Sequence, residues 1–144
     1  MASKVFLDAN FLLDFTLQRT GYSEARDIVK LAIGGDIQLF TTPAVIHITA
    51  YWLAKAYTNK KAKTIILTLM NDLRIIDCDH ETALLALSST MEDMEDALQY
   101  YTALTHDVDI FISSDKHLKK SAIPQLPVLT PSEFIKEMHD QGKY

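Results

Sequence analysis

The sequence predicts an α/β layered fold built around a parallel sheet. Short apolar runs alternate with longer stretches of helical spacing along almost the whole chain, the pattern of strand–helix–strand units. Only four Gly and four Pro occur in 144 residues, so long irregular connections are not expected. Carboxylates fall at or just past the ends of two apolar runs, where parallel sheets carry their ligand crevices.

The elements follow in order. Lys4–Asp8 (KVFLD) reads as a buried strand ending in a carboxylate. Asn10–Gln18 and Ser23–Ile33 carry helical spacing, punctuated by Thr20-Gly21 and by Gly34-Gly35. Ile37–Thr41 (IQLFT) is a second strand, and Pro43 suits the first turn of a helix running to about Tyr57. Asn59 to about Leu73 is a further amphipathic helix, followed by a short strand over Arg74–Asp77. Asp79 can cap a helix over His80–Leu87, and Asp93 can cap another reaching about Thr105. Asp109–Ser113 (DIFIS) and Pro127–Leu129 complete the strands, with a short helical turn at Lys116–Lys120 between them. Thr130-Pro131-Ser132-Glu133 then starts a terminal helix, with Pro at or near its first position.

Length bounds this to one domain with a genuine core. The single cysteine, Cys78, excludes an internal disulfide and offers no zinc-site spacing, which fits a reducing cytoplasm. No apolar run approaches membrane-spanning length, and no signal-peptide core opens the chain, so no membrane partner is expected. The formal net charge is −5, which argues against simple electrostatic adhesion to nucleic acid. Carboxylates that hold a divalent metal reverse the local sign of the field, however, and leave phosphate chemistry open.

Strand C-termini and helix N-termini share one edge of a parallel α/β sheet. That places Asp8, Asp115 and the cluster MEDMED (residues 91–96) on the same edge. Helix capping is the plain reading of MEDMED, with Asp93 as cap and Glu95 and Asp96 favoured by the helix dipole. Capping does not explain why Asp96 lies on one line with Gln99, Tyr100 and Ala103, the side that packs. An uncompensated carboxylate there is costly. Three carboxylates on one edge repel until a cation joins them, and an oxygen-only donor set points to Mg²⁺ or Mn²⁺. Asp8 and Asp115 can equally cap the helices that follow them, and Asn10 can be a turn residue. Asp14, Asp27, Asp36, Asp107 and Asp140 read as solvated surface. None of the five histidines has metal-ligand spacing. Tyr51-Trp52 and Tyr100-Tyr101 read as core or subunit-contact aromatics.

The segments KVFLDANFLLDF, EDALQYYTAL, DIFISSDKHL and VLTPSEFI, in this order and with about this spacing, resemble the PIN domain family, and especially the VapC-type toxins of bacterial toxin–antitoxin pairs. The resemblance spans essentially all of residues 1–144 as a single PIN-like domain. It implies an αβα sandwich with a central parallel sheet and a Mg²⁺- or Mn²⁺-dependent endoribonuclease. By position, Asp8, Asp96 and Asp115 are the catalytic, metal-holding acids. Asn10 supports the first of them, Glu95 stands behind the ligands with Asp93 as the cap, and Ser114 precedes the last acid. RNA is the implied substrate, and Lys116 and Lys119, with Lys120, are candidate backbone contacts near the site. The stretch Lys55–Lys63 (KAYTNKKAK), which otherwise reads as a solvated face, is the best candidate elsewhere. A cognate antitoxin and a homodimer are implied partners.

The family's usual second acid is a Glu on the helix after strand two, whereas Pro43 to Lys55 holds no acid. His47, Ile48 and Thr49 occupy that neighbourhood, and Ala9 replaces a residue that is often polar. The expectations that follow are a site that holds one metal instead of two, binds it more weakly, or is degenerate. A catalytically silent PIN-like binding module is the rival. A nucleophilic-aspartate phosphatase is disfavoured, because it wants a carboxylate two residues after the first and position 10 is Asn.

Overall fold

The computed structural model describes residues 2–142. Five strands form one parallel sheet: β1 (Ser3–Leu7), β2 (Ile37–Thr41), β3 (Leu73–Ile75), β4 (Ile110–Ile112) and β5 (Val128–Leu129). Their spatial order is β3-β2-β1-β4-β5. Eight helices connect and flank them. These are α1 (Ala9–Thr16), α2 (Tyr22–Ile33), α3 (Pro43–Ala56), α4 (Asn59–Leu69), α5 (His80–Leu87), α6 (Met94–Thr105), α7 (Lys116–Ser121) and α8 (Pro131–Asp140). The expected αβα architecture is present.

The strand order creates the feature on which the site depends. The chain lays down β1, β2 and β3 in one direction, then returns through α5 and α6 to place β4 on the other side of β1. The order therefore reverses between β1 and β4, which pair directly through Val5–Ile110, Phe6–Phe111 and Leu7–Ile112. A crevice opens beyond the strand ends at such a point, because the two following connections diverge to opposite faces.

Central strands buried on both faces explain why β1 and β4 read as continuous apolar runs instead of alternating ones. Phe6 and Phe111 stack across this pair with ring centroids 4.6 Å apart. Tyr100 from α6 tilts against Phe111 at 5.8 Å. The buried Tyr100 hydroxyl donates to Leu126 O at 2.6 Å and accepts from Ile123 N at 2.8 Å. It thereby ties the α7–β5 connection to α6, and burial raises its pKa.

Most element boundaries fall where the sequence places them. The helix after Asn59 is shorter than expected, ending at Leu69 instead of about Leu73. Leu73 belongs to β3, pairs with Leu39 and is buried, so the chain must leave the helix earlier to reverse direction. Tyr51 and Trp52 are half exposed, at 52% and 50%, and thus are not core residues. Tyr100 is core. Among the described residues, no helix is long and apolar enough to cross a membrane.

Replacing Tyr100 by Phe leaves Leu126 O and Ile123 N without their buried partner. The expected cost is about 1–3 kcal/mol, the penalty of an unsatisfied buried polar group. Urea unfolding of the two proteins, at equal m-value, measures it.

Candidate active site

The edge beyond the strand ends is built by helix caps. β1 stops at Leu7, and Asp8 becomes the N-cap of α1, its Oδ1 accepting from Phe11 N at 2.9 Å. Past β4, Asp115 caps α7, accepting from His117 N at 2.8 Å and Leu118 N at 3.2 Å. Asp93 caps α6 by accepting from Asp96 N at 3.0 Å. Asp96 therefore sits at the third helical position, partly buried, one turn before the buried Gln99 and Tyr100. The plain capping reading is realised at Asp8, Asp93 and Asp115. It leaves Asp96 unexplained.

Electrostatics tie the carboxylates together. Burial pushes the Asp8 carboxyl above its ordinary range, and the charges of Asp14 and Asp115 add to the rise. Hydrogen bonds from Phe11 N and the Ser113 side chain offset part of it. Asp96 is pushed up to about 6, chiefly by burial and then by the charges of Asp93, Asp115, Glu95 and Asp8. The ion pairs among the described residues are Arg19–Asp14, Arg26–Asp27 and Lys119–Glu133. None brings a cation to Asp8, Asp96 or Asp115. The edge is an uncompensated negative field held partly out of water.

Two hollows divide the site. Asp93, Asp96 and Asp115 line an open pocket of about 520 Å³ with Glu92, His117 and Lys120. Asp8 lies in a much smaller cleft with Asn10, Asp14, Ser113 and Ser114. The side chains do not close on a common centre: among the described residues no three His, Cys, Asp or Glu groups gather closely enough to hold an ion as they stand. The donor chemistry nonetheless fits a hard divalent cation, since every candidate ligand is a carboxylate and none has an ion-pair partner among the described residues.

Several placements refine the sequence reading. Glu95 is exposed, away from the pocket lining, and acts on Asp96 through charge alone. Lys116 is exposed and lies outside the pocket lining. Lys119 is engaged elsewhere: its Nζ donates to Glu133 Oε2 at 2.6 Å and holds that carboxyl down at about 2. Lys120 and His117 line the pocket instead. Asp14 is partly buried, paired with Arg19 at 2.9 Å and close enough to raise Asp8, so it is not simply solvated surface.

Ser113 is the residue that sequence reasoning missed. It is buried, its Oγ accepts from Asp115 N at 3.1 Å, and its side chain faces Asp8. One hydroxyl thus links the first and last acids across the β1–β4 pair. Its sequence signal is a serine directly after an apolar strand and two residues before an aspartate. On the far side, where α3 carries no acid, the buried Thr42 hydroxyl donates to Gln99 Oε1. A neutral pair joins α3 to α6 there. Thr49 spends its hydroxyl on Val45 O at 2.8 Å, and His47 is exposed.

Residues 4–117 match the PIN domain family. The chain belongs to that family. Solved structures with the same fold include a toxin–antitoxin complex from Klebsiella pneumoniae, at 19% identity and TM-score 0.67 over 88% of this chain and 97% of that one. VapBC2 of Rickettsia felis, bound to a promoter DNA fragment, matches at 13% identity and TM-score 0.64, over 88% and 98%. A VapC toxin of Mycobacterium tuberculosis that cleaves the sarcin–ricin loop matches at 12% and 0.64, over 84% and 97%. Among curated proteins, no sequence matches this PIN domain.

The raised Asp96 carboxyl has a signed consequence. A carboxylate whose folded pKa lies above its unfolded value destabilises the fold when ionised, and protonation relieves this as pH falls through about 6. In EDTA, Asp96→Asn is expected to melt several degrees above wild type at pH 7.5, with the gap narrowing below pH 6 and closing only near pH 4. Differential scanning fluorimetry across that range measures the gap, and a variant that melts lower at pH 7.5 would contradict the assignment.

Proposed function

We propose that this PIN domain is a metal-dependent endoribonuclease and the toxin of a VapC-type toxin–antitoxin pair, working in the cytoplasm. The observation that carries the reading is the carboxylate edge at the β1–β4 reversal, without an ion-pair partner among the described residues, where the charge of Asp115 adds to the burial that raises Asp8 and Asp96. Asp8, Asp96 and Asp115 would hold the Mg²⁺ or Mn²⁺ there. A bound ion of this kind acidifies water and neutralises charge on phosphoryl oxygens.

The chain's own groups have separable roles. A carboxylate of this edge, Asp115 or Asp96, orients the attacking water or accepts its proton. Ser113 positions Asp8 and the start of α7 together. Asp93 fixes the first turn of α6 and so the direction of Asp96. Asn10 and Ser114 border the Asp8 cleft.

The antitoxin is proposed from the likeness to VapC-type toxin–antitoxin structures. A protein segment that lays a Lys or Arg among these acids neutralises them and blocks the pocket, which accounts for inhibition without a further contact. A homodimer is part of the proposal. The neutral Thr42–Gln99 contact, in place of an acid on α3, favours the second reading, a PIN module that keeps its partner surface and lacks chemistry.

Cleavage of a mixed RNA pool by antitoxin-free protein, with Mn²⁺, with Mg²⁺ and with EDTA, separates these readings. The nuclease reading expects metal-dependent cutting that Asp96→Asn abolishes and that Ser113→Ala lowers by about tenfold or more, a positioning loss of roughly 1.4 kcal/mol. Ser114→Ala should cut nearly as well as wild type. A folded wild type that never cuts would transfer the proposal to the silent module.

A further inference from the structure

The most lopsided charge in the molecule lies away from the acids. Residues 37–71 contain no Asp or Glu and four lysines, Lys55, Lys60, Lys61 and Lys63. That segment carries +4 in a chain of net −5, so the remainder carries −9. All four lysines stand at the corner where α3 ends and α4 begins, all four are exposed, and none makes an ion pair among the described residues. Other cations, such as Arg19 and Lys119, are spent on carboxylates.

Aromatic rings are set between these charges. Tyr51 and Trp52 meet edge to face at 5.3 Å on the last turns of α3, both half exposed. Lys55 Nζ lies 5.0 Å from the Tyr51 ring centre, and Lys61 Nζ lies 4.2 Å from that of Tyr57. Exposed aromatics cost solubility, and a solvated face has no need of them. Rings alternating with unpaired lysines are the composition of a surface that tracks a phosphate backbone while bases stack.

We propose that the α3–α4 corner is a second contact surface for single-stranded RNA, separate from the carboxylate edge. The choice of RNA rests on the nuclease reading. A polyanion is drawn to the segment of largest net positive charge in an acidic chain, and the rings supply base-stacking faces that a purely charged patch lacks. α3 spans about 21 Å at 1.5 Å per residue. Its first residue adjoins Thr42, which bonds Gln99 one turn beyond Asp96. A strand held at both places must bridge a distance of that order, so the corner favours extended RNA over a single cleavable linkage. It places the affinity for a negatively charged substrate where the acids do not oppose it.

The test is binding of a labelled single-stranded RNA of about 20 nucleotides, longer than one site, followed by fluorescence anisotropy in EDTA across salt concentrations. Chemistry is silent under these conditions, so the result does not depend on whether the protein cuts. The variant Lys55→Gln/Lys60→Gln/Lys61→Gln/Lys63→Gln should bind about tenfold or more weakly, with a salt slope smaller by about 2–3. Trp52→Ala should weaken binding about fivefold or more at an unchanged slope, the signature of lost stacking. Melting temperatures near wild type confirm that each variant is folded. Unchanged affinity and slope in the quadruple variant overturn the proposal. So does an altered sedimentation coefficient in Trp52→Ala or the quadruple variant with RNA affinity intact, since the corner would then join two copies of the chain. Weakened binding in a protein that never cleaves RNA would leave the surface standing and remove the nuclease reading alone.

Discussion

Two carboxylates held partly out of water, with no cation beside them, set the terms for the rest of this molecule. Asp8 and Asp96 each carry a pKa raised first by burial and then by neighbouring acids. A fold tolerates such a cost where something outside the chain removes it, because a buried charge is otherwise neutralised, paired or lost. The strand reversal between β1 and β4 is what brings them near each other. The caps on α1, α6 and α7 are what keep their backbones in place.

Capping and chemistry are not rival uses of these residues. Asp8 and Asp115 each commit Oδ1 to helix N–H groups. That commitment ties the orientation of the carboxyl to the helix, which pre-organises the other oxygen. Ser113 extends the arrangement by joining Asp115's backbone to Asp8's side chain at the place where the two central strands end. The Thr42–Gln99 contact closes the side where relatives of this family carry a further acid, and it leaves the site with less negative charge than a four-acid edge. A smaller charge would hold a cation more weakly.

Much of the fold could be read from periodicity and punctuation. Ile37–Thr41 and His80–Leu87 fall where an apolar run and an Asp cap place them. That Asp8, Asp96 and Asp115 share one edge was legible because strand ends and helix starts meet there in parallel sheets. Ser113 was not, since a serine at a strand end has no distinguishing pattern until the neighbouring strand supplies Asp8. Asp14 was misread for a similar reason: its proximity to Asp8 arises from a helical turn and from Arg19 folding back. The engagement of Lys119 by Glu133 crosses from α7 to α8, a tertiary pairing that no local window contains.

The account stands or falls on the carboxylate edge taking up a divalent ion. Mn²⁺ titration at pH 7.5, with free ion followed by electron paramagnetic resonance, tests this without RNA or antitoxin. The prediction is saturable binding of one ion, weakened as pH falls below 6 and lost in Asp96→Asn. A folded wild type that leaves all the Mn²⁺ free, or an Asp96→Asn protein that binds as tightly as wild type, would contradict it.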